Sequence, residues 1–154
     1  MLMDKDIIDS FSDAFLNVMP QLGFTEVSLQ SQEECGKRIT EPGVVVIIGI
    51  IGDLHGNIIL AMDETTAKKV ASTMMFMEVE VFDEMAQSAV SELGNMLAAN
   101  ACINLSGKEI TADISTPTLM YGSFNATASF DNVVRIQLLA DGFPFSIYVS
   151  LQQK

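Results

Sequence analysis

Val44-Val45-Val46-Ile47-Ile48-Gly49-Ile50-Ile51 runs into Gly52-Asp53-Leu54-His55-Gly56 and then into Asn57-Ile58-Ile59-Leu60-Ala61-Met62. The first eight residues are β-branched at every position but Gly49, a pattern that predicts a strand buried on both faces. As the longest apolar run in the chain, it is far short of the ~20 residues needed to cross a bilayer. The Gly-Asp and Gly residues that follow supply turn chemistry, so Asn57 to Met62 is expected to return as a hairpin partner. A hairpin this apolar must be covered on both sides.

Candidate cover lies on either side of it in the sequence. Upstream, Ile7, Phe11, Phe15 and Met19 recur every four residues, one side of a helix that Pro20 should stop. Asp4, Asp6 and Asp9 sit near its N-terminal end, where the helix dipole favours acids. A short strand around residues 25–29 is expected next, then a polar loop or edge strand over residues 30–43. Downstream, Asp63 is placed to cap a helix over roughly Glu64 to Met75. A longer helix is expected over Asp83 to Leu105, closed near Gly107. The last third reads as strands over residues 109–115, 123–130, 133–139 and 145–151, with Asp141-Gly142 a strong hairpin signal between the final two. Without a linker or low-complexity tract, residues 1–154 are expected to form one α+β domain. Its sheet should be largely antiparallel, with long helices packed on it.

Composition narrows the functional classes. The 154 residues are 49% hydrophobic and carry a net charge of −12. A core can be built, and nucleic acid and anionic membrane surfaces are poor partners for so acidic a chain. A surface rich in Lys or Arg is a better match. Cys35 and Cys102 are too few for a disulfide framework and lack metal-ligand spacing. The N-terminal Met1-Leu2-Met3-Asp4-Lys5-Asp6 lacks a basic segment followed by an apolar run, so no secretory leader is expected and a cytoplasmic location is. Met74-Met75-Phe76-Met77 is expected to serve as adaptable core packing, with a sticky interface as the alternative.

Two motifs invite a chemical reading. Gly52-Asp53-Leu54-His55-Gly56 resembles the opening block of the calcineurin-like metallophosphoesterases, whose two metals need several further His, Asp and Asn ligands. His55 is the only histidine, so the string is read as a turn and no metal site is expected. No nucleophile elbow, phosphate loop or dinucleotide fingerprint is present.

The second motif lies on the longer downstream helix. At ~100° per residue, Phe82, Ala86, Val90, Leu93, Leu97 and Ala101 form its apolar side, and Glu84, Ser88, Ser91, Glu92, Asn95 and Ala99 lie opposite. Glu92 and Asn95 are three apart and point the same way, with Ser88 one turn earlier. Gly94 and Ala98-Ala99 are expected to keep the surface low beside them, which suits docking against another protein. With ten Glu and seven Asn in the chain, about 0.5 Glu-x-x-Asn matches arise by chance, so the pair gains weight only from its context.

That context, Ser88-Ala89-Val90-Ser91-Glu92-Leu93-Gly94-Asn95-Met96-Leu97-Ala98-Ala99-Asn100, resembles the signature of the CheC/CheX/FliY phosphatases of bacterial chemotaxis. The signature reads [D/S]-x-x-x-E-x-x-N on a helix, with a proline some twenty-odd residues on. Pro117, in Ser115-Thr116-Pro117-Thr118, stands one residue early. The signature occurs once here, which is similar to the CheX branch, whose members tend to be homodimers. The resemblance implies a phosphorylated CheY-like receiver domain as substrate. It assigns Asn95 to positioning the attacking water and Glu92 to anchoring the receiver's active-site Lys, while Ser88 leaves room or makes a minor hydrogen bond. It also implies no cofactor of the chain's own, the Mg²⁺ being supplied by the receiver. A non-catalytic adaptor that binds a receiver or flagellar-motor protein through the same helix face remains the alternative.

Overall fold

The computed structural model describes residues 4–153, and for residues 40–42 and 123–126 the backbone course alone. Residues 1–3, part of the basis for expecting no leader, lie outside the described residues. The elements in order are α1 (Lys5–Leu22), β1 (Val27–Cys35), β2 (Arg38–Gly52), β3 (Leu54–Met62), α2 (Glu64–Met75) and α3 (Glu84–Ser106). The chain closes with β4 (Ala112–Ile114), β5 (Thr118–Thr127), β6 (Val133–Ala140) and β7 (Phe143–Gln153). Every strand pairing is antiparallel, in the order β1-β6-β7-β3-β2-β4, with β5 also pairing β2. The architecture is the α+β arrangement expected.

The β2–β3 hairpin lies at the centre of this sheet, with Val44 opposite Met62 and Ile50 opposite Gly56. Val44, Val46, Ile48 and Ile50 belong to the main core, which also takes Phe11, Phe15 and Met19 of α1, Ala67 and Val70 of α2, and Val90, Leu93 and Leu97 of α3. Val45, on the opposite side of the strand, packs with Ile59, Ala61 and Tyr148 in a second, smaller cluster that Ile39, Ala128 and Val133 complete. Burial on both faces holds for Val44 to Val46, while Ile51 at the end of the run is 59% exposed.

One expectation is corrected and two are sharpened. Helix α1 runs through Pro20 to Leu22. Proline removes one donor, but with two residues left the helix closes on Gly23, whose φ of 117° lets N–H groups reach Pro20 and Met19. The polar segment after residue 29 takes the edge-strand alternative, continuing β1 to Cys35 before β2 begins at Arg38. Gln32 sits in β1, and its amide donates to Asp9 and to Ser12 on α1 at 3.0 and 2.8 Å. Polar side chains thus face a helix there, which hides the strand from any hydrophobic pattern. Helix α3 closes at Gly107 as expected; that residue keeps a right-handed backbone, and Glu109, φ 64°, is the one that turns left-handed beyond it. At the β6–β7 hairpin, Asp141 and Gly142 are both at positive φ (50° and 83°), the geometry that matches strand twist. No described helix is long and apolar enough to cross a membrane.

Candidate functional site

The apolar side of α3 lies on the sheet as its spacing indicates: Phe82, Ala86, Val90, Leu93, Leu97 and Ala101 are all buried. Asp83 caps the helix, its carboxylate accepting from Ala86 N at 3.0 Å. Gly94 is turned to the core rather than to solvent, correcting the expected low surface there. It sits one residue, and so ~100°, past Leu93; a Cβ on it would come within 2.8 Å of Val46 Cγ1 and 3.4 Å of Ile48 Cδ1. Ala98 is likewise buried. Gly94 lets α3 settle close onto β2, and of the three small residues only Ala99 stays beside the polar face.

That polar face forms one wall of an open groove of about 770 Å³. Glu84, Gln87, Ser88, Ser91, Glu92 and Asn95 line it from α3, and Ile114, Ser115, Thr116, Pro117 and Leu119 line it from the β4–β5 connection. The three residues singled out from sequence therefore share one wall, and Pro117 faces them across the gap. The opposite wall is fixed to the sheet by local chemistry. Ile114 pairs with Ile50 and Thr118 with Ile47. Between them, Ser115 N donates to Gly49 O at 2.9 Å, and Gly49 N donates to Ser115 Oγ at 2.8 Å. Gly49 leaves room for this exchange, because a Cβ would stand 2.9 Å from that hydroxyl oxygen and force the Ser115 side chain to shift. Ser115, Thr116 and the two apolar rims, Ile114 and Leu119, carry no pattern that marks them beforehand. The only signal for this wall is the distance of Pro117 from the helix motif.

Glu92 and Ser88 are exposed and Asn95 half-buried. The groove holds two carboxylates, Glu84 and Glu92, and no basic side chain, so it favours a cationic group from outside. Among the described residues, no three His, Cys, Asp or Glu side chains gather as a metal site requires. The chain reverses within the Gly52–Gly56 string at Asp53, with Leu54, His55 and Gly56 already in β3 and paired with β7: Gly52 has φ 122°, and Asp53 Oδ2 accepts from Thr111 N at 2.8 Å. His55 stands edge-on to Phe130, ring centres 5.3 Å apart.

Residues 44–137 match the family described as Chemotaxis phosphatase CheX. A relative named CheY-P phosphatase CheX, from Thermotoga maritima, is 36% identical over 96 residues, 62% of this chain and 62% of that protein. The chain spans about three fifths of the length of the curated relatives it matches. The crystal structure of a chemotaxis protein CheX from Desulfovibrio desulfuricans has the same fold, with a TM-score of 0.85 at 20% identity, covering 97% of this chain and 99% of that one. A CheX in a solved CheX–CheY–BeF3–Mg²⁺ complex from Borrelia burgdorferi superposes with a TM-score of 0.76 at 26% identity, covering 97% of each chain.

Proposed function

The chain belongs to the chemotaxis phosphatase CheX family, and on that footing we propose that it hydrolyses the aspartyl-phosphate of a CheY-like receiver domain. The observation that carries this reading is the groove itself, in which Ser88, Glu92 and Asn95 line one wall and Pro117 the other. The solved complex of a relative with CheY supports the choice of partner.

The chemistry asks little of this chain. An acyl phosphate leaves as a carboxylate, so no general acid is needed. The partner's Mg²⁺ and Lys would neutralise the phosphoryl oxygens; what is lacking is a water held in line with the leaving oxygen. Positioning dominates phosphoryl transfer. The Asn95 amide carries acceptor and donor groups that can orient a water without deprotonating it. Glu92, one turn earlier, would accept a charge-assisted hydrogen bond from the partner's Lys and set the depth of docking. Ser88, smaller and a further turn away, leaves room for the partner's backbone.

The working unit is read as one domain acting in the cytoplasm, where its phosphorylated partner would be. It is also read as a homodimer: among the described residues β1 pairs along one edge only, with β6, and an open edge can pair with a second copy. A monomer at all concentrations in light scattering would end the dimer reading. For the activity, wild type is assayed against a panel of phosphorylated, Mg²⁺-loaded receivers. Accelerated phosphate release from at least one is expected, whereas tight binding without acceleration would make the protein an adaptor.

A further inference from the structure

The sequence Met74-Met75-Phe76-Met77 does not pack as a unit. Met74 and Met75 lie against the core, but Phe76 is 92% and Met77 58% exposed. Val81 and Met85 follow at 71% and 67%. Four of the eight large hydrophobic residues exposed among the described residues therefore fall within residues 76–85. Single exposed apolar residues need no explanation, whereas a concentration of them marks an interaction surface. Phe76 is also held at φ 55°, ψ 37° where α2 ends, a conformation costly for a bulky side chain and ordinarily given to Gly or Asn. The connection is pinned in place: Met77 N donates to Ser72 O, Val79 N to Ser72 Oγ, and Asp83 N to Val81 O.

This run reaches the groove, since Glu84 within it lines the α3 wall. Met85, Ser88 and Glu92 follow one stripe of α3 at i, i+3 and i+7, which puts Met85 about 10 Å along the axis from Glu92. Its rim is acidic, with Glu78, Glu80, Asp83 and Glu84 all exposed and no Lys or Arg between residues 76 and 85. We propose that the α2–α3 connection is a second docking surface for the same phosphorylated partner, engaging an apolar patch bordered by Lys or Arg. This rests on the receiver reading above. Apolar anchors at the centre and charges at the rim are the arrangement by which an interface gains affinity and steering respectively.

The test uses the receiver that wild type dephosphorylates fastest and two variants, Phe76→Asn/Val81→Ser/Met85→Ser and Glu78→Gln/Glu80→Gln. The apolar variant is expected to raise KM roughly tenfold with kcat unchanged, since it removes uniform binding remote from the reacting bond. The charge variant should slow association at low salt and flatten its salt dependence. A KM within twofold of wild type in the apolar variant, with its thermal midpoint preserved, overturns the proposal. If Asn95→Ala is inactive in that same assay, the phosphatase reading nevertheless stands. Should the apolar variant misfold, an unaltered salt dependence in the charge variant overturns it instead. Loss of self-association in the apolar variant would assign the surface to a second copy of the chain and overturn it equally. If wild type binds a receiver without turnover, the same comparison is read from Kd. Failure to bind any receiver removes both readings together.

Discussion

Asn95 and Glu92 differ in what their loss should do. Asn95 is assigned to the water, an interaction realised in the transition state, so Asn95→Ala should lower kcat by about a hundredfold or more. As a half-buried helix position it tolerates Ala, and the denaturant midpoint should move by no more than about 0.5 kcal/mol equivalent. Glu92 is assigned to the partner's Lys. Its replacement by Ala should weaken binding to a beryllofluoride-activated receiver by roughly tenfold to a hundredfold, the range of a hydrogen bond to a charged group; calorimetry reads this directly, and unchanged affinity would remove the anchor role. That the two side chains share one face was legible in the sequence, because helical spacing puts i and i+3 side chains together whatever the fold around them. Gly94 was misread for a related reason. A residue without a side chain does not register in a hydrophobic stripe, and only the 2.8 Å approach to Val46 reveals that it faces the sheet.

At the scale of elements, the seating of α3 on β2 sets the width of the groove. Gly94→Ala should destabilise the fold by about 1–3 kcal/mol, as overpacking in a close-packed core does, and should lower kcat by displacing Asn95 from Pro117. A stability-neutral, fully active Gly94→Ala would mean the helix position is not critical. Two half-buried carboxylates, Glu64 and Asp141, hold elements together and give acid sensitivity a direction. The Tyr121 hydroxyl donates to Glu64 at the start of α2 and its ring meets Phe82 edge-on at 5.0 Å; that hydrogen bond holds Glu64 below the usual carboxylate range. Asp141 accepts from Glu26 N at 2.7 Å and from the Thr25 hydroxyl and backbone N, with the same result. A depressed folded value means that these contributions are complete above the unfolded carboxylate range. They are lost as pH falls through the folded values. The thermal midpoint should therefore drop below about pH 4, less steeply in Tyr121→Phe and Asp141→Asn. Identical pH profiles in all three proteins would remove these contacts from the explanation. The elements legible in sequence were those with apolar periodicity or strong caps, such as β2–β3, α2 and the Asp141-Gly142 turn. Strand β1 was underestimated, because Gln32 and Ser31 satisfy its inner and neighbouring contacts by hydrogen bonds, which leave no hydrophobic signature.

For the molecule as a whole, the net charge of −12 and the acid-lined groove favour approach of a cationic face. Association with the partner should slow as ionic strength rises, since exposed charges are screened beyond about 10 Å at 0.1 M salt; stopped-flow binding that ignores salt would contradict this. The fold class followed from one hairpin and the helices flanking it. One wall of the site was legible because it is continuous in sequence, and the other was not, because Ser115 and Thr116 reach the groove only through the pairing of β4 and β5 with β2.

The most direct measurement is the rate of phosphate release from a phosphorylated, Mg²⁺-loaded receiver, with wild type and Asn95→Ala compared at equal occupancy of the partner. Release should be accelerated by wild type and return to the receiver's own rate with Asn95→Ala, although the variant still binds. Equal acceleration by both proteins would contradict the assignment of the attacking water to Asn95.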